Sequence, residues 1–380
     1  MIYSVFFIPP LVIWRAVAVL KVNIYTKLLL SLITLLAVFK YQIIYYLGGP
    51  MFFAPDVPPW VLVTGNLLYG WSFFFFFLLA ISEIILLIWR VIAHLRKKTL
   101  SEKFRKYNNR LNLILLITAL LLTLYALYEG ACQPRVKEFT YTSQAIPAAA
   151  DGIRIAVLAD LHIDVLTRAP RIRKIVAKTN ALQPDLTVIV GDIVDGTVEQ
   201  RSKDVSVLNE LAAPLGIYAV AGNHEYFSGY SEWMEFFKSS KIRMLENSSV
   251  KLPSNIYIAG VTDFMARKRS LPLPDARKAL QNILPEEFVI YLAHRPGEAA
   301  KAAPLGADLQ FSGHTHGGMI WGFDRIVGRF NDNFYSGWYK LGTLDLYVSN
   351  GTAIWNGFPF RLGRASEITL ITLKSMKQEE

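Results

Sequence analysis

The chain has 380 residues, enough for about two domains, and 53 % of them are hydrophobic with a formal net charge of +10. Residues 1–130 hold 12 Lys/Arg against 4 Asp/Glu, a net of +8, whereas residues 131–380 hold 28 against 26, a net of +2. A second part this close to neutral argues against a nucleic-acid partner, and the one cysteine, Cys132, excludes an intrachain disulfide and any thiolate metal cluster.

In chain order, four apolar runs have the length of membrane spans: 2–20, 28–47, 61–92 and 111–128. The first carries Pro9, Pro10 and Arg15, so an interfacial helix is its alternative; no small-residue cleavage site follows, which argues against a signal peptide. The third contains the phenylalanine run 73–77 and is long enough to cross with tilt. Basic residues gather in loops 15–27 and 94–110, and positive charge is retained on the cytoplasmic side. Loop 48–60 and everything after residue 129 then face outward, so a multi-pass cell-membrane protein with an extracytoplasmic soluble domain is expected, with the lipid bilayer as a partner. Arg15 and Glu83 fall toward the cytoplasmic ends of their runs and are expected partners, while Lys40 is expected to snorkel outward.

Residues 131–150, with Pro134, Pro147 and three alanines, read as an extended linker onto a domain at 151–375. From Ile153 strand-like and helical stretches alternate: strand 153–159, helix 168–182, strand 186–190, helix 199–212, strand 217–221 and helix 230–239. Short strands near 243–245 and 256–260 follow, then helix 275–284, strand 288–292, helix 297–303 and strand 308–312, with β-rich segments at 344–349 and 367–373. That order predicts α/β layering with much parallel sheet, preceded by an all-α transmembrane bundle at 1–130.

Five short motifs each follow a strand-like run: DLH at 160–162, GDIVDG at 191–196, GNHE at 222–225, His294 in LAHRP, and GHTH at 313–316. Open α/β sheets build their sites at such strand ends. In extended chain, residues two apart point the same way, so Asp160 and His162 can grip one ion, and His314 and His316 a shared pair. Asn223 and His224 are adjacent and point apart, so one can ligate while the other faces a substrate. Carboxylate, imidazole and amide oxygen without sulfur suit Mn²⁺, Fe²⁺, Zn²⁺ or Mg²⁺. The ligands are too many for one four-coordinate site, and two divalent ions sharing a bridging carboxylate would use them all. Five of the six histidines occupy these motifs; the sixth, His94, lies in the basic loop.

In this order and spacing the five motifs resemble the calcineurin-like metallophosphoesterase superfamily, over roughly residues 150–373. GHTHGGMIW and LDLYVSNGTAIWNG resemble in particular its membrane-attached bacterial branch, which carries amino-terminal spans before the same catalytic domain. The resemblance implies two mixed β-sheets packed face to face with helices outside. It also implies roles: Asp160, His162 and His316 hold a first metal, Asn223, His294 and His314 a second, and Asp192 bridges them. His224 would donate a proton to the leaving alkoxide and Asp195 would orient its ring; Glu225 is expected to accept hydrogen bonds rather than ligate. Two ions of the Mn²⁺, Fe²⁺ or Zn²⁺ kind would polarise a phosphoester and activate a bridging water for attack on phosphorus. Two departures accompany the match. Ala159 stands where relatives often have serine, which removes no ligand, and Asn350 stands where branch relatives tend to carry arginine, which weakens any transfer of substrate preference.

The expected substrate is a phospholipid or lipid-linked phosphodiester or pyrophosphate. The alternatives are a soluble nucleotide or small phosphoester cleaved by an anchored enzyme, or an inactive membrane scaffold. Trp321, Phe323, Phe330, Phe334, Tyr335, Trp338 and Tyr339, interleaved with Arg325, Arg329 and Lys340, would form a lip for an amphiphile or else pack the terminal β layer. The basic segment 264–269 invites the same reading, and Arg295 would meet a phosphate or make a surface ion pair.

Overall fold

The computed structural model describes residues 22–48, 57–96 and 102–376 with positions 11–13, 17 and 55, and for 102–109 the backbone alone. Its contacts divide the chain into two compact units, residues 1–128 and 129–380.

In the first unit, α1 is Ile24–Val38, α2 Lys40–Gly48, α3 Pro59–Leu95 and α4 Glu102–Ala131. α3 starts on prolines, whose fixed φ and missing N–H suit a first helical turn. Among the described residues, two helical stretches are long and apolar enough to cross a membrane, Pro59–Leu95 and Arg110–Ala131. The run at 28–47 is not one straight helix: α1 and α2 meet at a bend of 69°, so together they make a broken span or a re-entrant loop. The bend turns Lys40 inward. It is buried, its Nζ donates to Asn66 Oδ1 at 2.6 Å, and it lies over the rings of Tyr41 and Tyr69. Lys40 therefore does not snorkel, because a polar partner and two π faces satisfy the cation inside the helix bundle. Glu83 lies 4.0 Å from Arg90, about two helical turns along α3. Arg15, and the run 2–20 apart from positions 11–13 and 17, fall outside the described residues.

The second unit opens with β1, Arg135–Ser143, inside the stretch read from sequence as linker. It pairs in parallel with the final strand, over the full register from Arg135 opposite Glu367 to Ser143 opposite Ser375. The remaining strands are β2 Arg154–Leu158, β3 Leu186–Val190, β4 Ile217–Val220, β5 Ile242–Met244, β6 Ser248–Lys251 and β7 Ile256–Gly260. They continue with β8 Phe288–Leu292, β9 Leu309–Ser312, β10 Gly337–Leu341, β11 Leu344–Val348 and β12 Glu367–Ser375. Two six-stranded mixed sheets result, ordered β1-β12-β2-β3-β4-β5 and β10-β11-β9-β8-β7-β6. Helices α5 Ala169–Ala181, α6 Val198–Val205, α7 Asn223–Phe227, α8 Tyr230–Lys238, α9 Ala276–Leu280, α10 Ala299–Ala302 and α11 Asp324–Arg329 complete it.

β3 is buried along its whole length, and apolar but for Thr187, because both faces of the strand are covered. Leu186, Val188 and Val190 point into the core between the sheets, against Ile258, Ile290 and Phe311 of the other sheet, while Ile189 faces the outer core under α5 and α8. Each such side chain stabilises by about 1.5–3 kcal/mol when fully buried. Ala276, Ala279 and Ala302 of α9 and α10 cover the outside of the second sheet.

Candidate metal centre

β2, β3 and β4 run parallel, as do β7, β8, β9 and β11, so each sheet gathers the carboxyl ends of several strands at one edge. The five motifs leave from those ends. The DLH and GDIVDG loops continue the strand pairing: Asp160 N donates to Gly191 O, His162 N to Asp192 O and Ile163 N to Ile193 O, at 3.1, 3.0 and 2.9 Å. The chain is not extended there. Asp160, His162, Asp192, His314 and His316 all have positive φ, between 41° and 71°, a conformation costing about 1–3 kcal/mol per non-glycine residue. Left-handed turns, rather than strand pleat, aim these side chains inward.

Three groups of ligand atoms lie within 4.8 Å of one another: Asp160, His162 and His316; His162, Asp192 and His224; and Asp192, His294 and His314. Asp192 is common to two of them. His162 Nε2 stands 3.1 Å from His316 Nε2, and His294 Nε2 stands 3.2 Å from both His314 Nδ1 and Asp192 Oδ2. Ligands at about 2.0–2.1 Å from a tetrahedral ion are about 3.3 Å apart, so these spacings fit divalent ions. Asn223 is placed differently: its Oδ1 accepts from Arg295, which also meets His314 Nε2 at 3.0 Å and Asp263 Oδ2 at 2.8 Å. Asn223 therefore borders the Asp192–His294–His314 group through that guanidinium.

Electrostatics suit the same purpose. All these residues are buried, His314 and Arg295 partly, and buried charge is costly unless paired or ligated. Burial pushes the Asp160 carboxyl up to about 6. Burial would also raise Asp192, but the His224 and His294 imidazoles hold it well below the usual carboxylate range. Burial depresses His314 and His316 well below the usual imidazole value, with neighbouring His294, Arg295, His162 and Arg361 adding to it, so both present neutral nitrogens to an ion. His294 Nδ1 lies 2.9 Å from the Val190 carbonyl, which holds the proton there and leaves Nε2 facing Asp192. Two glycines allow the close approach: a Cβ on Gly222 would fall 2.2 Å from Asp192 Oδ1, and one on Gly313 2.5 Å from Asp160 Oδ2.

Asp195 lies 2.5 Å from His224 Nδ1 and 3.0 Å from His162 Nδ1, so it serves two imidazoles where the sequence pattern gave it one. Glu225 is fully buried and accepts from the N–H groups of Asp192, Ile193, Val194 and Gly222, at 2.6 to 3.1 Å. Two neighbours escaped sequence reasoning. The Trp355 ring lies 5.8 Å from that of His224 and 6.3 Å from that of His162. Arg361, 2 % exposed, donates to the carbonyls of Ala353 and His316. Trp355 lies in the stretch LDLYVSNGTAIWNG, whose spacing gives it no contact, and for Arg361 only an arginine inside the apolar run FPFRLG hints at a buried partner. Asn350 is buried, its Oδ1 accepting from Ser336 at 2.6 Å beside Gly317.

A two-sheet α/β layer with clustered imidazoles and carboxylates at its carboxyl edge defines a metal-dependent hydrolase. A family model described as calcineurin-like phosphoesterase matches residues 153–318. A transmembrane protein with metallophosphoesterase domain from Danio rerio is 30 % identical over 337 residues, covering 85 % of this chain and 76 % of that protein. An uncharacterized metallophosphoesterase from Helicobacter pylori is 34 % identical over 253 residues, covering 66 % of this chain and 67 % of that protein. Among solved structures, a dimetal phosphatase from Danio rerio aligns with a TM-score of 0.34 at 14 % identity, over 53 % of this chain and 88 % of that one; so loose a match carries no weight here. The chain belongs to the calcineurin-like metallophosphoesterases and is a phosphoester hydrolase with transmembrane relatives.

Proposed function

We propose that this is a membrane-anchored dinuclear phosphoesterase acting on a phospholipid or a lipid-linked phosphodiester or pyrophosphate. What carries the reading is that Asp192 groups with His294 and His314 on one side and with His162 on the other, and His162 in turn groups with Asp160 and His316, so this carboxylate stands between the two ligand sets, where a bridge would. Asp160, His162 and His316 would hold one ion, and Asn223, His294 and His314 the other, with Mn²⁺, Fe²⁺ or Zn²⁺ suited to such donors. When bound, such a pair polarises a phosphoryl group and supplies the nucleophile at neutral pH. The remaining work belongs to the chain. Burial would lower the His224 pKa, but the Asp192 and Asp195 carboxylates raise it to about 9, so the ring is protonated at neutral pH. With Nδ1 on Asp195, its Nε2 lies on the Asp192 side of the ring, 3.8 Å from Oδ2, and would pass its proton to the leaving oxygen. Apolar helices in the same polypeptide favour a substrate presented at a bilayer.

Asp192→Ala should abolish hydrolysis of a soluble aryl phosphodiester and lower bound metal; unchanged turnover would end this mechanism. Detergent-solubilised enzyme incubated with membrane lipid extracts and Mn²⁺ should release phosphorylated or dephosphorylated head groups. If nucleotides are turned over and no lipid is, the soluble-substrate alternative replaces the lipid one.

A further inference from the structure

Two surface segments open on the same sheet edge as His294, His314 and His316. Because β7, β8 and β9 run parallel, the loops that follow them emerge on one side. The segment after β7, residues 264–273, reads FMARKRSLPL. Phe264 is 50 % exposed and Leu273 45 %, with Arg267, Lys268 and Arg269 exposed between them. Asp263, just before it, receives Arg295 Nε. The segment after β9, residues 321–330, reads WGFDRIVGRF. Trp321 is 76 % exposed and Phe330 84 %, and Ile326, Arg325 and Arg329 are exposed as well. Asp332, just beyond, lies against Gly297, where an added Cβ would meet its Oδ2 at 2.3 Å. Both segments thus flank residues 295–297.

Single exposed apolar residues are ordinary, but five on two loops flanking one stretch mark a surface that something covers. Charge identifies what. The two segments carry five cations and one carboxylate, Asp324, which is buried and paired with Arg364. Of the nearest carboxylates outside them, Asp263 pairs with Arg295 and Asp275 caps α9, while Asp332 is exposed. Aromatic and aliphatic tips interleaved with Arg and Lys, cations outnumbering carboxylates, match the boundary between acyl chains and anionic head groups. A bilayer is within reach because the same chain holds two helices able to cross one.

We propose that residues 264–273 and 321–330 form a rim that docks on an anionic bilayer, apolar tips below the head groups and cations on the lipid phosphates. This goes beyond the assignment of substrate and does not depend on which phosphoester is cleaved.

The test uses the full chain carrying Cys132→Ser, in nanodiscs with and without about 30 % phosphatidylglycerol. Phe264→Cys and Phe330→Cys carry a bimane fluorophore, and lipids with doxyl groups near the head serve as quenchers. Lys241→Cys, on an exposed residue just before β5 at the opposite strand ends, is the reference. Thermal unfolding checks that each labelled chain is folded. The proposal expects quenching at 264 and 330 at least twice that at 241 in anionic discs, falling to the reference level when Arg325→Glu and Arg329→Glu are added. Quenching no greater than at 241 would overturn it. So would shielding that arises without lipid and grows with protein concentration, which would assign the rim to a second copy of the chain.

Discussion

Asp195 accepts from two rings: with both Nδ1 atoms on its oxygens, the Nε2 of His162 turns toward His316 and that of His224 toward Asp192. An amide in its place could accept from one ring only. Asp195→Asn should therefore lower turnover by about 10²–10⁴-fold and weaken metal binding by about 10–100-fold. His224→Ala should slow the reaction comparably but keep the metals, with the least effect on substrates having good leaving groups. Metal content by emission spectroscopy beside kcat for a series of aryl phosphodiesters separates the two; Asp195→Asn with full metal content would sink the shared role. The pairing of Asp195 with His224 was legible because both lie in recognisable motifs. Its pairing with His162 was not, since sequence does not say which imidazoles fold against one carboxylate. Trp355 and Arg361 were hidden for the same reason: they reach the site through burial rather than spacing.

At the scale of elements, Glu225 joins the β3 and β4 loops by taking three N–H groups from one and Gly222 N–H from the other. Its burial, with Asp192 nearby, pushes its own carboxyl up to about 7, so the loop junction stores unfavourable charge that the amides offset. Glu225→Ala strands these four buried donors, and at about 1–3 kcal/mol each the loss should be at least about 4 kcal/mol. A thermal melt that shifts by less than a degree would show that water replaces the carboxylate. β3 and β8 were readable to the residue because apolar runs stop at turn residues. β1 was not, because its half-exposed pattern resembles a linker and its partner β12 lies at the other end of the chain. The helix expected at 297–303 breaks into short turns around Pro296 and Pro304, as rings without an N–H interrupt the helical ladder. Of the aromatic lip, Trp338 instead stacks on Tyr141 of β1 at 5.9 Å, and Phe334 packs edge-on to Tyr339, so those rings close the β layer while Trp321 and Phe330 stay outside.

For the whole molecule, a proposal for the side on which the catalytic unit lies rests on one stretch. α3 and the apolar part of α4 are each long enough to cross, and the residues joining them, 96–110, carry seven Lys/Arg against one Glu. Positive charge of that density is as a rule retained in the cytoplasm, and on that ground we propose that the end of α4, and the catalytic unit after it, face outward. The bent pair α1 and α2 changes the side of the amino terminus, depending on whether it crosses or returns, yet leaves this conclusion intact. In a Cys132→Ser background, an impermeant maleimide added to intact cells should therefore label Lys238→Cys, whose side chain is 72 % exposed, and should reach Arg96→Cys only after the membrane is opened. Labelling of Arg96→Cys with Lys238→Cys protected would invert the topology, place the site on the cytoplasmic leaflet, and redirect the search for substrate to lipids and nucleotides of that face.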